Sequence, residues 1–215
     1  MDETVIPPRA APRGRPRRSA EATRDLRARV LAAAQALFAQ GGYEGVSMRN
    51  VAKAASCSAP ALYRLFPHKR ALLRNIWDDV LGELDRDLAA AAAGRARALD
   101  RLGALGRGYV RFWVEHPDHF RALFLIEDRL AEPGERYFVD TSENLPRMVA
   151  RFEEAAKAAS AAGELTGDPR EIIELLFCGL HGVASGVIGM PEYPWGPPDL
   201  LAGRMVDALL AGLAP

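Results

Sequence analysis

Four guanidinium groups fall within six residues at Arg13-Gly14-Arg15-Pro16-Arg17-Arg18. Cations this dense on a Pro/Gly-containing strand suit a polyanion such as a nucleic-acid backbone. They belong to a wider segregation of charge. Residues 1–77 hold 14 Lys+Arg against 5 Asp+Glu, and residues 78–215 hold 14 against 23. A net charge of zero therefore conceals a front of +9 and a back of −9. That is the footprint of a nucleic-acid module joined to something else. Arg15, Arg17 and Arg18 can enter a minor groove beside a major-groove reader, or remain a solvated tail that adds only non-specific attraction.

The other reactive residue types lack company. There is no Ser-His-Asp order with a nucleophile elbow and no Gly-rich phosphate loop, so no enzyme is expected. Asp78-Asp79 and Glu153-Glu154 read as solvated charge on helix surfaces. His116-x-x-His119 flanks Pro117 and has no Cys or carboxylate cluster at ligand spacing, so neither metal nor cofactor is expected. Cys57 and Cys178 are too few for a disulfide scaffold and read as reduced and structural. No apolar run is judged long enough to span a bilayer, and the first residues lack a signal-peptide core. A cytoplasmic protein with no membrane partner follows by elimination.

The elements that position these residues read as all-α. Residues 1–19 lack apolar periodicity. From Ala20 to Gln40, Leu26, Val30, Ala33 or Ala34, Leu37 and Phe38 make a helical stripe that Gly41-Gly42 stops. Ser47 caps a second helix bearing Met48, Val51, Ala52 and Ala55. After a break at Ser56-Cys57, Ser58 caps a third, with Pro60 in its first turn. Pro67 ends it, and a connecting helix runs over 68–92. Further helices are expected at about 95–115, from Pro117 through Ile126, and at 141–162, 169–189 and 198–213, with a loop at Glu132-Pro133-Gly134. The division is a basic arm at 1–19, a head at 20–67 and a helical domain at 68–215.

Two short helices joined by a tight turn, with a third packed across them, describe a helix-turn-helix. Gly42–Leu73 resembles the DNA-binding domain of the TetR (tetracycline repressor) family. The fragments Ala52-Lys53-Ala54-Ala55, Ser58, Leu62-Tyr63-Arg64-Leu65-Phe66, Lys69 and Leu72-Leu73 match it without a gap. The family often has Gly where this chain has Ser56, in a turn that suits a left-handed backbone. The resemblance implies a recognition helix presenting Ala59, Pro60, Ala61, Tyr63 and Arg64 to base edges. Ala59 and Ala61 would then meet thymine methyl groups, and Arg64 guanine or phosphate. Arg49 sits where the tetracycline repressor reads guanine. Ser47, Tyr63, His68 and Lys69 look like phosphate clamps, and Ser58 belongs to the same surface.

A second resemblance covers roughly Tyr109 to Val187. Tyr109-Val110, Glu115 to Phe120, Phe124 and Leu180-His181-Gly182-Val183-Ala184-Ser185 look like a TetR subgroup with a Trp-His-Gly signature, of which His181-Gly182 remain. It implies an inducer pocket and a homodimer through the last two helices. Phe112, Trp113, His116, Phe120, Phe124, Met148, Phe152, Phe177, Cys178 and His181 either line a cavity for an apolar or aromatic inducer or fill the core. Gly179, Gly182, Gly186 and Gly189 would let helices approach closely. The expected protein is a repressor of double-stranded, pseudo-palindromic operator DNA, with an activator or a ligand-independent architectural protein as alternatives.

Overall fold

The computed structural model describes residues 20–125 and 142–215. Arg15, Arg17, Arg18, Ile126, the Glu132–Gly134 loop and the expected helix start at Thr141 lie outside the described residues. Within them the chain is helical: α1 (Ala20–Gly45), α2 (Met48–Ala54), α3 (Ala59–Leu65), α4 (Lys69–Ala92), α5 (Ala98–Glu115), α6 (Pro117–Phe120), a π turn (Arg121–Leu125), α7 (Leu145–Ala161), α8 (Pro169–Gly189) and α9 (Pro198–Gly212).

The head forms around one stripe. Leu26, Val30, Ala34 and Phe38 recur every four residues on α1 and are all buried. They share a core with Val51, Leu62, Phe66, Leu72 and Leu73. Gly41 and Gly42 break the helical backbone as expected, Gly42 with φ +57. Ser47 Oγ accepts from the Asn50 N–H at 3.1 Å and starts α2. The turn after α2 is a Schellman motif: Ser56 N–H donates to Lys53 O and Cys57 N–H to Ala52 O. Ser56 stands at its left-handed position with φ +50, where glycine would sit without strain. Ser58 precedes α3, but its side chain makes no capping hydrogen bond. Only its carbonyl does, accepting from Ala61 and Leu62.

Helix α4 leaves the head and enters the body. His68 caps it, Nδ1 accepting from the Ala71 N–H at 3.2 Å. Arg27 donates to Asn75 at 2.6 Å and Gln35 to Asp79 at 3.1 Å, so α1 lies along its first half. Burial, and then the Asp78 charge, push the Asp79 carboxyl up. The expectation of solvated charge at Asp78 is corrected. Its carboxylate accepts from Ser142 Oγ, from the Glu143 and Asn144 N–H groups and from Asn144 Nδ2, capping the start of α7. Gly82 allows this, since a Cβ there would lie 3.2 Å from the Asn144 amide.

Helix α5 is the centre of the body, packed by α4, α7, α8 and α9. A Cβ at Gly106 would fall 2.9 Å from Val206 and 3.3 Å from Leu180, which shows how closely α9 and α8 approach it. Helix α8 is long and apolar enough by composition to cross a membrane, contrary to the reading that no run reaches that length. Here it packs against α5, α7 and α9. Two of the recurring glycines serve contacts within the chain. A Cβ at Gly179 would lie 2.7 Å from Leu209 of α9, and one at Gly186 3.0 Å from Trp195, whereas Gly182 faces open space.

Candidate nucleic-acid interface and ligand cavity

On α3, Ala59, Pro60 and Arg64 are exposed and Tyr63 is 50% exposed. These four expected readers share the outer face. Ala61 does not: it is 3% exposed and packs inward beside Leu62. The expectation that it touches thymine methyl groups is corrected, because positions two apart on a helix point in widely different directions. On α2, Arg49 is exposed, with Asn50 and Lys53 on the same exposed side. Lys53 stands four residues after Arg49, a spacing that could have marked it. Ser58 is exposed; Ser47, His68 and Lys69 are half-buried at helix starts. Lys69 Nζ donates to the Tyr43 carbonyl and sits 3.5 Å from the centroid of its ring, so it also ties the α1 end to α4.

A cavity of about 510 Å³ opens between α4, α5, α7 and α8. Six of the expected residues line it: Trp113, Phe124, Met148, Phe177, Cys178 and His181. Four do not, and each has another place. Phe112 is buried against Trp113 and stacks on His116 at 4.3 Å. His116 Nδ1 donates to the Phe112 carbonyl at 2.8 Å, which secures the turn after α5. Phe120 is fully buried and backs the lining, with Trp113, Phe124 and His181 rings within 5.6 Å of its own. Phe152 is fully buried behind Phe177. In the three phenylalanines, aromatic type signalled core packing.

The expected lining omitted Leu81, Leu84, Tyr109, Leu145 and Gly182. The Leu81/Leu84 and Tyr109/Trp113 pairs stand three and four residues apart on α4 and α5, the spacing of one helix face. Tyr109 OH and His181 Nδ1 lie 3.1 Å apart across α5 and α8. Burial pushes the Tyr109 phenol far up, and it lowers His181, which favours the neutral imidazole. Phe124 sits on the π turn, a one-residue widening frequent at functional sites.

A polar seam holds the cavity walls. Asp85 of α4 is buried and receives Arg151 of α7 through two bonds, Nε to Oδ1 at 2.5 Å and an Nη to Oδ2 at 3.0 Å. On the side of the head, His119 of α6 stacks on Phe38 of α1, centroids 4.5 Å apart. Burial, then the neighbouring His116, lower the His119 pKa. His116 and His119 thus face aromatic partners. Among the described residues no three His, Cys, Asp or Glu side chains gather as metal ligands would.

Comparison with known proteins agrees with both halves. Residues 30–76 match the bacterial regulatory proteins of the tetR family, and residues 102–213 match the tetracyclin repressor-like C-terminal domain. The chain is 34% identical over 151 residues to the HTH-type transcriptional repressor KstR of Mycobacterium tuberculosis, covering 70% of this chain and 64% of that protein. It is 42% identical over 76 residues to KstR of Mycolicibacterium smegmatis, covering 34% and 37%. These alignments span less than two thirds of either relative. A solved structure of a protein with unknown function from Rhodococcus sp. RHA1 superposes with a TM-score of 0.71 at 25% identity, over 88% of this chain and 96% of that one. With family matches on the head and across the body, the chain belongs to the tetR family of bacterial regulatory proteins.

Proposed function

We propose that this protein is a cytoplasmic, homodimeric transcriptional repressor that holds operator DNA through α2 and α3 and leaves it when a small apolar molecule enters the body cavity. The observation that carries this reading is the double duty of α4. Its first turns bury Leu72, Leu73 and Ile76 within the core that α1 to α3 share, and Leu81 and Leu84 line the cavity. A ligand pressing on those two leucines acts on the helix from which the head projects. Exposed Arg49, Lys53, Tyr63 and Arg64 supply cationic and hydroxyl groups for phosphates and base edges, with Ser47, Ser58, His68 and Lys69 at helix starts beside them. Ala59 and Pro60 offer only apolar contact, so groove shape and thymine methyl groups carry much of the selectivity.

Dimerisation through α8 and α9 is supported by Leu175 and Leu200, 48% and 59% exposed on those helices. A C2 dimer of such heads calls for a roughly palindromic site. The arm carrying Arg15, Arg17 and Arg18 adds minor-groove or phosphate contacts; deleting residues 1–18 lowers affinity and flattens its salt dependence. The test is mobility shift and footprinting of purified protein on its own upstream region at moderate salt. A discrete protected pseudo-palindrome is expected, with transcription from that promoter rising when the footprint is lost. Salt-sensitive binding without a footprint overturns the operator reading in favour of an architectural protein. A footprint whose loss lowers transcription overturns repression in favour of activation.

A further inference from the structure

The cavity has one polar corner, and its hydrogen-bond directions follow from its parts. Trp113 Nε1 is buried and has no acceptor at hydrogen-bonding geometry. The Tyr109 hydroxyl is buried as well, and its partner among the described residues is His181 Nδ1, 3.1 Å away. Were Nδ1 protonated, the buried phenol proton would be left without an acceptor, so the Tyr109 O–H donates to His181 Nδ1. In a neutral imidazole whose Nδ1 accepts, the proton sits on Nε2. The ring is held in place by Phe120 and Phe124, with centroids at 5.0 and 4.7 Å. His181 lines the cavity, and the hydrogen bond its ring makes among the described residues is through Nδ1, which leaves Nε2 for a ligand.

We propose that His181 Nε2–H is the specificity group of this cavity, and that the ligand is an uncharged, largely apolar molecule with one carbonyl-type acceptor. This rests on the cavity being the ligand site. The remaining described lining is Leu81, Leu84, Leu145, Met148, aromatic rings, Gly182 and the weak S–H of Cys178. No charged side chain lines it among the described residues. A carboxylate would lose its hydration there without a cation to replace it. A pure hydrocarbon would fill the space but displace water from Nε2–H and leave that donor unpaired. A ketone or ester satisfies both the apolar walls and the donor. His181 belongs to the His-Gly pair of the sequence signature, and Tyr109 sets which of its nitrogens faces the ligand.

The test uses the full chain at pH 8 and the neutral fluorophore N-phenyl-1-naphthylamine as cavity reporter. It is displaced by three molecules of similar size: butyrophenone, n-butylbenzene and 4-propylbenzoate. Butyrophenone is expected to bind roughly fivefold to tenfold more tightly than n-butylbenzene, the worth of one hydrogen bond to a donor that the hydrocarbon leaves unpaired, and 4-propylbenzoate weakest. The ketone's advantage over the hydrocarbon should vanish in His181→Phe, return in His181→Gln, whose amide donates again, and shrink in Tyr109→Phe. Because the hydrocarbon is measured in each variant, altered packing cancels from the ratio. If the reporter enters and the ketone shows no advantage, or keeps it in His181→Phe, the assignment of His181 is overturned while the cavity stands. If the reporter does not enter the wild-type protein, the cavity reading fails and this assignment with it.

Discussion

Replacing Arg151 by Met tests whether the seam between α4 and α7 holds the cavity walls together. The Asp85 side chain is 12% exposed, and both its oxygens are engaged by Arg151. Met keeps the apolar stem and removes the guanidinium, leaving a buried carboxylate alone. Breaking a fully buried pair this way costs about 3–5 kcal/mol. The Arg151 side chain is 38% exposed, so water reaches the site and the cost falls to about 2 kcal/mol. For a chain of this size that is a drop of roughly 4–8 °C in Tm. The double variant Asp85→Leu with Arg151→Met removes both charges and should recover most of the loss, since the penalty lies in the orphaned charge. Thermal and urea melts of the wild type, the single variant and the double variant decide it. A single variant melting with the wild type, or a double variant no better than the single, would refute the argument that the pair is buried and coupled.

Three further outcomes are expected. Ser56→Gly relieves the left-handed strain at φ +50 and should raise stability by up to about 1 kcal/mol without changing any footprint; a lower Tm would count against it. The folded-state pKa of His119 lies below the ordinary 6.5, so as pH falls through 6.5 the unfolded chain takes up a proton that the folded chain refuses. Stability is therefore lost between pH 6.5 and that lowered value and unaffected above; in melts from pH 8 to 5.5, His119→Phe should flatten the acid side relative to wild type, and parallel curves would contradict it. Gly179→Ala places a methyl 2.7 Å from the end of the Leu209 side chain, which has to move aside, whereas Gly182→Ala meets nothing, so Gly182→Ala should melt higher although both gain helix propensity; equal melting temperatures would show that Leu209 gives way freely.

The head was legible because its signals are local. Stripe, cap, turn and proline each act within a few residues, so Leu26 to Phe38, Ser47 and the left-handed Ser56 could be placed from sequence. Ala61 was misplaced for a local reason too: a helix of two turns has an inner and an outer face, and a small residue gives no sign of which it occupies. The cavity was half legible. Aromatic type pointed to Trp113, Phe124 and Phe177, but the same property marks core residues, and Phe112, Phe120 and Phe152 proved to be core. Leu81 and Leu84 read as an ordinary apolar stripe, because lining and filling residues differ only in what stands opposite them. Asp78 was misread because its partners, Ser142 to Asn144, lie more than sixty residues away.

The contacts between head and body decide how a ligand signal would travel. Helix α1 is tied to α4 by Arg27–Asn75, Gln35–Asp79 and Lys69–Tyr43, and to α6 by the Phe38–His119 stack. The first three move with α4, because they grip its first half. The fourth does not: α6 leads directly into the π turn that carries Phe124 to the cavity. The head is therefore gripped from two walls of the same cavity, α4 through Leu81 and Leu84 and the α6 segment through Phe124. A ligand that spreads those walls cannot leave both grips unchanged, since a packed interface shifts between discrete arrangements and does not deform smoothly. A coupling of about 1–3 kcal/mol through them would change operator affinity roughly 5- to 150-fold. On that geometry, His119→Ala loosens the α6 grip without opening the head core and should weaken the ligand's effect on operator release more than it weakens ligand binding. Equal losses in both would place the whole signal on α4.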